Sequence, residues 1–306
     1  MFNQKSNHFP FKVQKEQPIY TLKHLLTGRG DFGIKLAKLI SKEGDTYKMI
    51  RLNLLGVVQG LMARLETISQ NVRLFENDSS VPELIYSDDK CLILEWIDGI
   101  ELSRVNKNKD NYRQLADFNS KGLKDIKREP IESELTLRRE QIKILSEKSV
   151  LNTELYSKLN HLISEKKFLD STHLILAVGF GDSALKNYIY NEACKSLVYI
   201  DVFGISRRDV GRMYLKHLSQ HTPKEVRKVY AEQFKKNLIF DLTPTLNFSY
   251  LNYLIAKIYS SVIKMSLRNY RNRTSKIRKS LDELSAFLHH WEKGISAEDW
   301  VINYKN

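Results

Sequence analysis

The segment that most constrains this chain is Phe180-Gly181-Asp182-Ser183-Ala184-Leu185-Lys186-Asn187, followed by Leu197-Val198-Tyr199-Ile200-Asp201. An acid, an amide five residues on and a second acid closing an apolar strand fit a loop, a hairpin and a strand end. That arrangement brings three hard oxygen donors toward one point. The first carboxylate can orient or deprotonate a hydroxyl, while an amide oxygen and a second carboxylate can hold Mg²⁺ against nucleotide phosphates. Taken singly, each residue serves equally well as a helix cap or turn former. Their joint spacing implies phosphoryl transfer.

The chain's 306 residues suffice for one large domain or two lobes, and 42% hydrophobic residues suit a folded core. It contains no uncharged apolar run of about 18 residues, the length a membrane-spanning helix needs. Met1 to Tyr20 is polar, is interrupted by Pro10 and Pro18, and lacks the apolar core of a secretory signal. The cysteines, Cys91 and Cys194, form no framework, so a reducing, cytoplasmic location is expected. Lys and Arg number 49 against 36 Asp and Glu, a net charge of +13. That excess favours anionic partners, with an ordinary solvated lysine-rich surface as the plain alternative. Nucleic acid is disfavoured because no reading motif accompanies the charge.

The first hundred residues read as β-rich with one helix. Ile34–Ser41 and Thr46–Asn53 are short apolar runs around Lys42-Glu43-Gly44-Asp45, a hairpin-like break. Val58–Phe75 carries Leu61, Leu65, Ile68 and Val72 at helical spacing. Glu83–Tyr86 and Cys91–Trp96 resemble another strand pair. Beyond Gly99, Tyr112–Leu123 is helix-like, and Leu135–Lys167 reads as two helices broken near Ser149-Val150. Strands are expected at Leu174–Val178 and Leu197–Ile200, then helices from Arg207 onward. Thr222-Pro223 has the composition of a capped helix start, and Asn247 to Trp291 forms one or two long helices.

Four further constellations bear on chemistry. Gly28-Arg29-Gly30-Asp31-Phe32-Gly33 fits G-x-G-x-x-G, whose glycines let backbone N–H groups approach phosphate; a plain turn explains it equally well. Lys48 stands inside an apolar strand, where its ammonium needs a partner. Phosphate oxygens and a helix carboxylate such as Glu66 would serve. Arg51, on the opposite strand face, is the rival anchor. Leu92 to Gly99 is a strand running into an acidic bend, where backbone groups of Glu95 and Ile97 can meet an adenine edge. Lys264, Arg268, Arg271, Arg273, Lys276, Arg278 and Lys279 crowd one helical stretch with Tyr270 and Ile277. This reads as peripheral contact with the anionic inner face of a membrane or an acidic glycan, or as a solvated face. His289-His290 are adjacent and so point to different helix faces, poor geometry for one metal ion.

In this order the motifs resemble the aminoglycoside phosphotransferase and choline kinase group of the protein-kinase-like superfamily, including bacterial lipopolysaccharide-core sugar kinases. The resemblance covers roughly Gly28 to Leu215. Val81-Pro82-Glu83-Leu84-Ile85-Tyr86 with Leu94-Glu95-Trp96-Ile97-Asp98-Gly99 resembles the end of that family's small lobe and its hinge. Gln114 to Asn119 resembles the helix before the catalytic loop. Phe180-Gly181-Asp182 with Asn187 resembles its H-G-D-x-x-x-x-N loop, and Asp201-Val202-Phe203-Gly204 its metal-binding segment. The resemblance implies an α+β, bilobal protein-kinase-like fold, with a small β-rich N-lobe over 1–97 and a larger, mostly helical C-lobe over 98–306. It implies Asp182 as catalytic base, Asn187 and Asp201 as Mg²⁺ ligands, Lys48 with Glu66 as the phosphate-anchoring ion pair, and ATP as the second cofactor.

The departures are specific. Phe180 and Asn119 stand where the family carries His, and Leu185 where sugar and antibiotic kinases often carry Pro. The family His before the catalytic loop mainly packs and orients, a role Phe can fill. Ala184 replaces the Lys usual in Ser/Thr protein kinases, and no Ala-Pro-Glu segment follows Asp201; both argue against a protein substrate. The expectation is an ATP- and Mg²⁺-dependent kinase of a hydroxyl-bearing small molecule or glycolipid, an already anionic envelope sugar being the acceptor that the positive charge suggests. The alternative is a pseudokinase, a binding module holding an anionic partner on the same fold.

Overall fold

The computed structural model describes residues 9–19, 34–53, 57, 61–105, 108–165, 172–182, 184–191, 196–265 and 270–305. The chain divides into two compact units, one of Met1–Val105 with Ala184–Ser206, the other of Asn106–Ser183 with Arg207–Asn306.

The first unit is built on a five-stranded antiparallel sheet in the order β1-β2-β3-β5-β4. Its strands are β1 (Val13–Pro18), β2 (Ile34–Ser41), β3 (Thr46–Leu52), β4 (Leu84–Ser87) and β5 (Cys91–Glu95). The expected hairpin joins β2 to β3, pairing Ile34 with Leu52 and Ile40 with Thr46. Gly44 turns the chain at φ +95°, a conformation glycine adopts without steric cost. Side chains alternate between the faces. One face buries Ala37, Leu39, Met49, Cys91 and Ile93 beneath Phe9, Phe11, Val13 and Tyr47, with the Phe11 and Tyr47 rings stacked at 4.1 Å. β1 was not foreseen, because the run Gln14 to Gln17 is wholly polar; it is an edge strand whose pairing with β2 is carried by main-chain bonds. Helix α1 (Leu61–Arg73) buries Leu65, Ile68, Ser69 and Val72, matching the expected stripe, and packs on β4 and β5.

A smaller sheet completes this unit: β10 (Ser196–Tyr199), β9 (Tyr188–Asn191) and β6 (Ile100–Glu101). Gly99 precedes β6, and a Cβ there would lie 2.4 Å from the Tyr190 carbonyl oxygen, so the close approach of the two strands requires glycine. Because β6 pairs with β9 through Ile100 and Tyr190, the unit extends to Val105 and reclaims Ala184–Ser206. A linear cut after residue 97 does not describe that return.

A three-stranded sheet, ordered β11-β8-β7, is formed by β7 (Lys124–Pro130), β8 (His173–Phe180) and β11 (Ile205–Asp209), the last entering the second unit at Arg207. The helices are α2 (Lys109–Lys121), α3 (Glu132–Glu147), α4 (Thr153–Ser164), α5 (Val210–Gln220), α6 (Lys224–Lys236), α7 (Thr243–Ile263) and α8 (Tyr270–Trp291). The long stretch after Asn247 is thus two helices. α2 packs on α6, and α7 packs on α5 and α8, around the buried rings of Tyr214, Tyr230, Tyr250 and Phe287. Thr222 does not cap α6: Pro223 holds the cap position and the Thr222 hydroxyl donates to the His217 carbonyl at 3.1 Å. Among the described residues no helix is long and apolar enough to cross a membrane. Of the basic stretch, Lys276, Arg278 and Lys279 are exposed on α8; Arg268 lies outside the described residues.

The chain's end is tied to this core by charge. Glu283 on α8 accepts from Tyr250 at 2.6 Å and from Lys257 at 3.0 Å, and pairs with Lys305. Burial alone would raise the Glu283 pKa, but Lys305 and Lys257 outweigh it and hold the carboxyl below its ordinary value. Removing one partner of a buried ion pair strands the others. Glu283→Ala is expected to destabilise the protein by roughly 3 kcal/mol, read as a drop in the urea midpoint. The folded chain releases the Glu283 proton more readily than the unfolded chain does. This contribution is therefore present above the unfolded pKa and lost as pH falls through the folded one, and the difference between wild type and variant should shrink under acid.

Candidate active site

In the first unit, Lys48 projects from β3 on the face opposite Met49. Its Nζ donates to the Ile200 carbonyl at 2.8 Å, next to the Asp201 carboxylate. Burial lowers the Lys48 pKa, and Asp201 opposes that shift. Asn187 ends a 3₁₀ turn, Leu185–Asn187. Its Nδ2 lies 3.4 Å from Asp201 Oδ2, and its carbonyl accepts from the Ile200 N–H at 2.9 Å. Lys48, Asn187 and Asp201 are therefore brought together within one unit. Arg51 is not part of this group. It lies on the other sheet face, its guanidinium 5.6 Å from the Phe9 ring and beside Cys91, whose thiol burial pushes up to about 11.

Glu66 is not brought to Lys48. It is exposed on the outer side of α1, where it accepts from Gln70 at 3.4 Å. The inner side of α1 instead meets the segment after Asp201: Asn71 Nδ2 donates to the Ile205 carbonyl at 3.1 Å, and the Arg64 guanidinium lies 5.3 Å from the Phe203 ring. The helical period alone could not show which helix side would meet that segment. Glu95 ends β5 with its N–H on the Glu83 carbonyl at 2.9 Å, and Ile97 follows, partly exposed. The connector is braced by the Trp96 indole donating to Asp98 at 2.9 Å and by Lys38 4.3 Å over the Trp96 ring. Gly28, Gly30 and Gly33 lie outside the described residues. A concavity of about 740 Å³ elsewhere in this unit, between the end of α1 and β4, includes Glu95 but none of the other predicted site residues.

In the second unit, β8 delivers Asp182. The strand ends in buried Phe180, whose ring stacks on Phe118 of α2 at 4.9 Å and 22°. Gly122 caps α2 directly beneath it; a Cβ there would lie 2.4 Å from Phe180 Cε2. The Phe180 carbonyl accepts from the His217 ring, while burial and then neighbouring His221 and Lys216 hold His217 well below its ordinary pKa. Lys216 donates to the Gly181 carbonyl at 2.8 Å and faces Asp182. His221 also faces Asp182; burial and Lys216 push its pKa down to about 4, so it is neutral at pH 7. Asn119 is buried and donates to the Tyr230 hydroxyl at 3.1 Å, a structural role. Sequence reading missed Lys216 and His217, although both lie on the first helix after Asp201.

As for metal ligands, no group of three or more His, Cys, Asp or Glu is assembled among the described residues. Asn187 and Asp201 nevertheless supply the amide and carboxylate oxygens that Mg²⁺ accepts alongside water. The donor set therefore fits that ion.

Neither a protein-family model nor a curated protein matches the sequence. Solved structures do match in shape. A choline kinase from Cryptosporidium parvum aligns over 94% of this chain and 93% of its own, at 13% identity and TM-score 0.58. A macrolide 2′-phosphotransferase from Brachybacterium faecium aligns over 88% and 94%, at 6% identity and TM-score 0.60. An ADP-bound aminoglycoside phosphotransferase aligns over 88% and 93%, at 14% identity and TM-score 0.55. The chain has the choline kinase and aminoglycoside phosphotransferase fold. Its architecture is accordingly α+β and bilobal, β-rich first and mostly helical second, as the motif order implied.

Within this fold, Phe180 is a wedge cut to fit Gly122. Gly122→Ala should push the ring and cost about 1–3 kcal/mol, the usual range for overpacking. In a Phe180→Ala background, the same substitution should cost less, a coupling measurable by a double-mutant cycle of denaturation midpoints.

Proposed function

We propose that this protein is an ATP- and Mg²⁺-dependent phosphotransferase that moves the γ-phosphate to a hydroxyl of a small or lipid-linked acceptor, of which an envelope sugar is one candidate. The observation that carries the reading is the grouping of the Lys48 ammonium with Asn187 and Asp201. A cation beside paired oxygen donors is what a triphosphate and its metal require. The likeness to small-molecule kinases over almost the whole chain supports it.

In this reading Lys48 meets phosphate oxygens, and Asn187 with Asp201 holds the metal. Bound Mg²⁺ supplies neutralisation of the charge on the transferred phosphate. Glu95 and Ile97 offer main-chain groups to adenine, and the glycines at 28, 30 and 33 approach the phosphates. Asp182 accepts a hydrogen bond from the acceptor hydroxyl, orients its oxygen for attack and takes the proton as the new O–P bond forms. Lys216 holds the Gly181 carbonyl and so fixes the main chain that carries Asp182. The glycolipid acceptor would place the exposed cations of α8 against an anionic membrane surface.

A second reading is a pseudokinase that holds an anionic partner. Glu66 turned away from Lys48 and Phe180 in an apolar wall favour it. The two part on metal dependence. A phosphotransferase should gain thermal stability from ATP more strongly with Mg²⁺ than without, since a ligand bound only by the folded state raises its melting point, and Asp201→Ala should remove the metal-dependent part. Asp182→Asn should lower transfer by about 10²–10⁴-fold, the usual worth of a general base, with ATP binding by calorimetry retained. Full turnover by Asp182→Asn on an identified acceptor would refute the assignment of the base.

A further inference from the structure

Arg208, Arg212 and Lys216 recur every fourth residue. Asp209 caps α5, its Oδ1 accepting from the Gly211 N–H at 2.9 Å. Arg212 and Lys216 therefore stand one turn apart on one side of that helix, with Arg208 just before it. Arg208 and Lys216 reach the loop that carries Asp182, and Arg212 lies beside both of them. A Cβ on Gly181 would lie 2.6 Å from Arg208 Nε, so this guanidinium is pressed against the loop backbone. Lys216 donates to the Gly181 carbonyl. The three cations repel one another, and Arg138 of α3 adds its own repulsion on Arg212.

Partly buried like charges so close together are costly unless acids offset them. Among the described residues the acids that face Arg212 and Lys216 are Glu134, Asp209 and Asp182. Glu134 is engaged by Arg138 at 2.7 Å and by Asn252 at 3.1 Å. Asp209 gives its Oδ1 to the helix cap while its buried Oδ2 has no hydrogen-bond partner, and burial raises its pKa to about 6. His217 and His221 are neutral. Donor capacity is left over. The Arg212 guanidinium makes no hydrogen bond or ion pair with a described side chain, and Arg138, 3% exposed, has its Nε without a partner.

We infer that Arg208, Arg212 and Lys216 form an oxyanion site beside Asp182 that binds a phosphate or carboxylate already present on the acceptor. This deepens the phosphotransferase reading and rests on it for the word acceptor. A guanidinium offers paired N–H donors that match an oxyanion's geometry, and an anion held by Arg212 and Lys216 places a neighbouring hydroxyl near Asp182. The substrate class is thus an acidic or phosphorylated hydroxyl compound.

The test is calorimetric titration of the full chain, first with an ATP analogue that cannot transfer its phosphate, plus Mg²⁺, and then, in their presence, with glucose 6-phosphate, glucuronate, glucose, choline and inorganic phosphate. At least one of the two acidic sugars should bind ten times or more tightly than glucose, with choline the weakest, and raised salt should narrow the gap. Preference for glucose 6-phosphate assigns the site to phosphate, and preference for glucuronate to carboxylate. Arg212→Gln should weaken the preferred probe at least tenfold and Arg212→Lys less; Arg208→Gln serves if Arg212→Gln does not fold. Equal binding of acidic and neutral sugars, or an unchanged preference in the folded Gln variant, overturns the site. Absence of nucleotide binding in the first titration would instead overturn the phosphotransferase reading and leave the sugar comparison to judge the oxyanion site.

Discussion

A lysine ammonium set inside a β-sheet governs the first unit. Lys48 cannot reach bulk water freely, and an unpaired charge there would cost several kcal/mol. The Ile200 carbonyl and the Asp201 carboxylate meet it, across 152 residues of sequence. That single requirement joins β3 to the end of the β9–β10 hairpin. Main-chain bonds then spread from the junction: Tyr199 N–H donates to the Ser80 carbonyl and Ile200 N–H to that of Asn187. The return of Ala184–Ser206 to the first unit follows from these contacts, and they also set Asn187 beside Asp201. Satisfying the Lys48 charge and pairing Asn187 with Asp201 are here one arrangement.

This explains what could be read in the sequence and what could not. The β2–β3 hairpin, the α1 stripe and the β4–β5 pair were legible because alternation and helical spacing are local signals. The grouping of Lys48 with Asn187 and Asp201 was legible because a lysine inside an apolar strand and paired oxygen donors are residue-type signals. β1 was invisible: beyond Val13 its run Gln14 to Gln17 is polar, and its support is main-chain pairing with β2. Glu66 was misjudged as a partner for Lys48 because helical spacing alone does not orient α1 against the segment after Asp201. Lys216 and His217 were missed because they act on carbonyls, which leave no residue-type signature. The grouping of Arg208 and Lys216 was not read from the sequence and emerged only with both side chains against Gly181.

The replacement of histidine by Phe180 can be weighed in the same terms. An orienting side chain at that position matters because the loop that follows must hold one shape. Here the shape is imposed on the main chain instead. The His217 ring holds the Phe180 carbonyl, Lys216 holds the Gly181 carbonyl, and the Phe180 ring is locked between Phe118 and Gly122. Two successive residues, Phe180 and Gly181, are thereby braced just before Asp182, without a polar side chain at the first of them. The apolar ring at Phe180 is thus matched by His217 and Lys216 of α5, which hold the two carbonyls that precede Asp182.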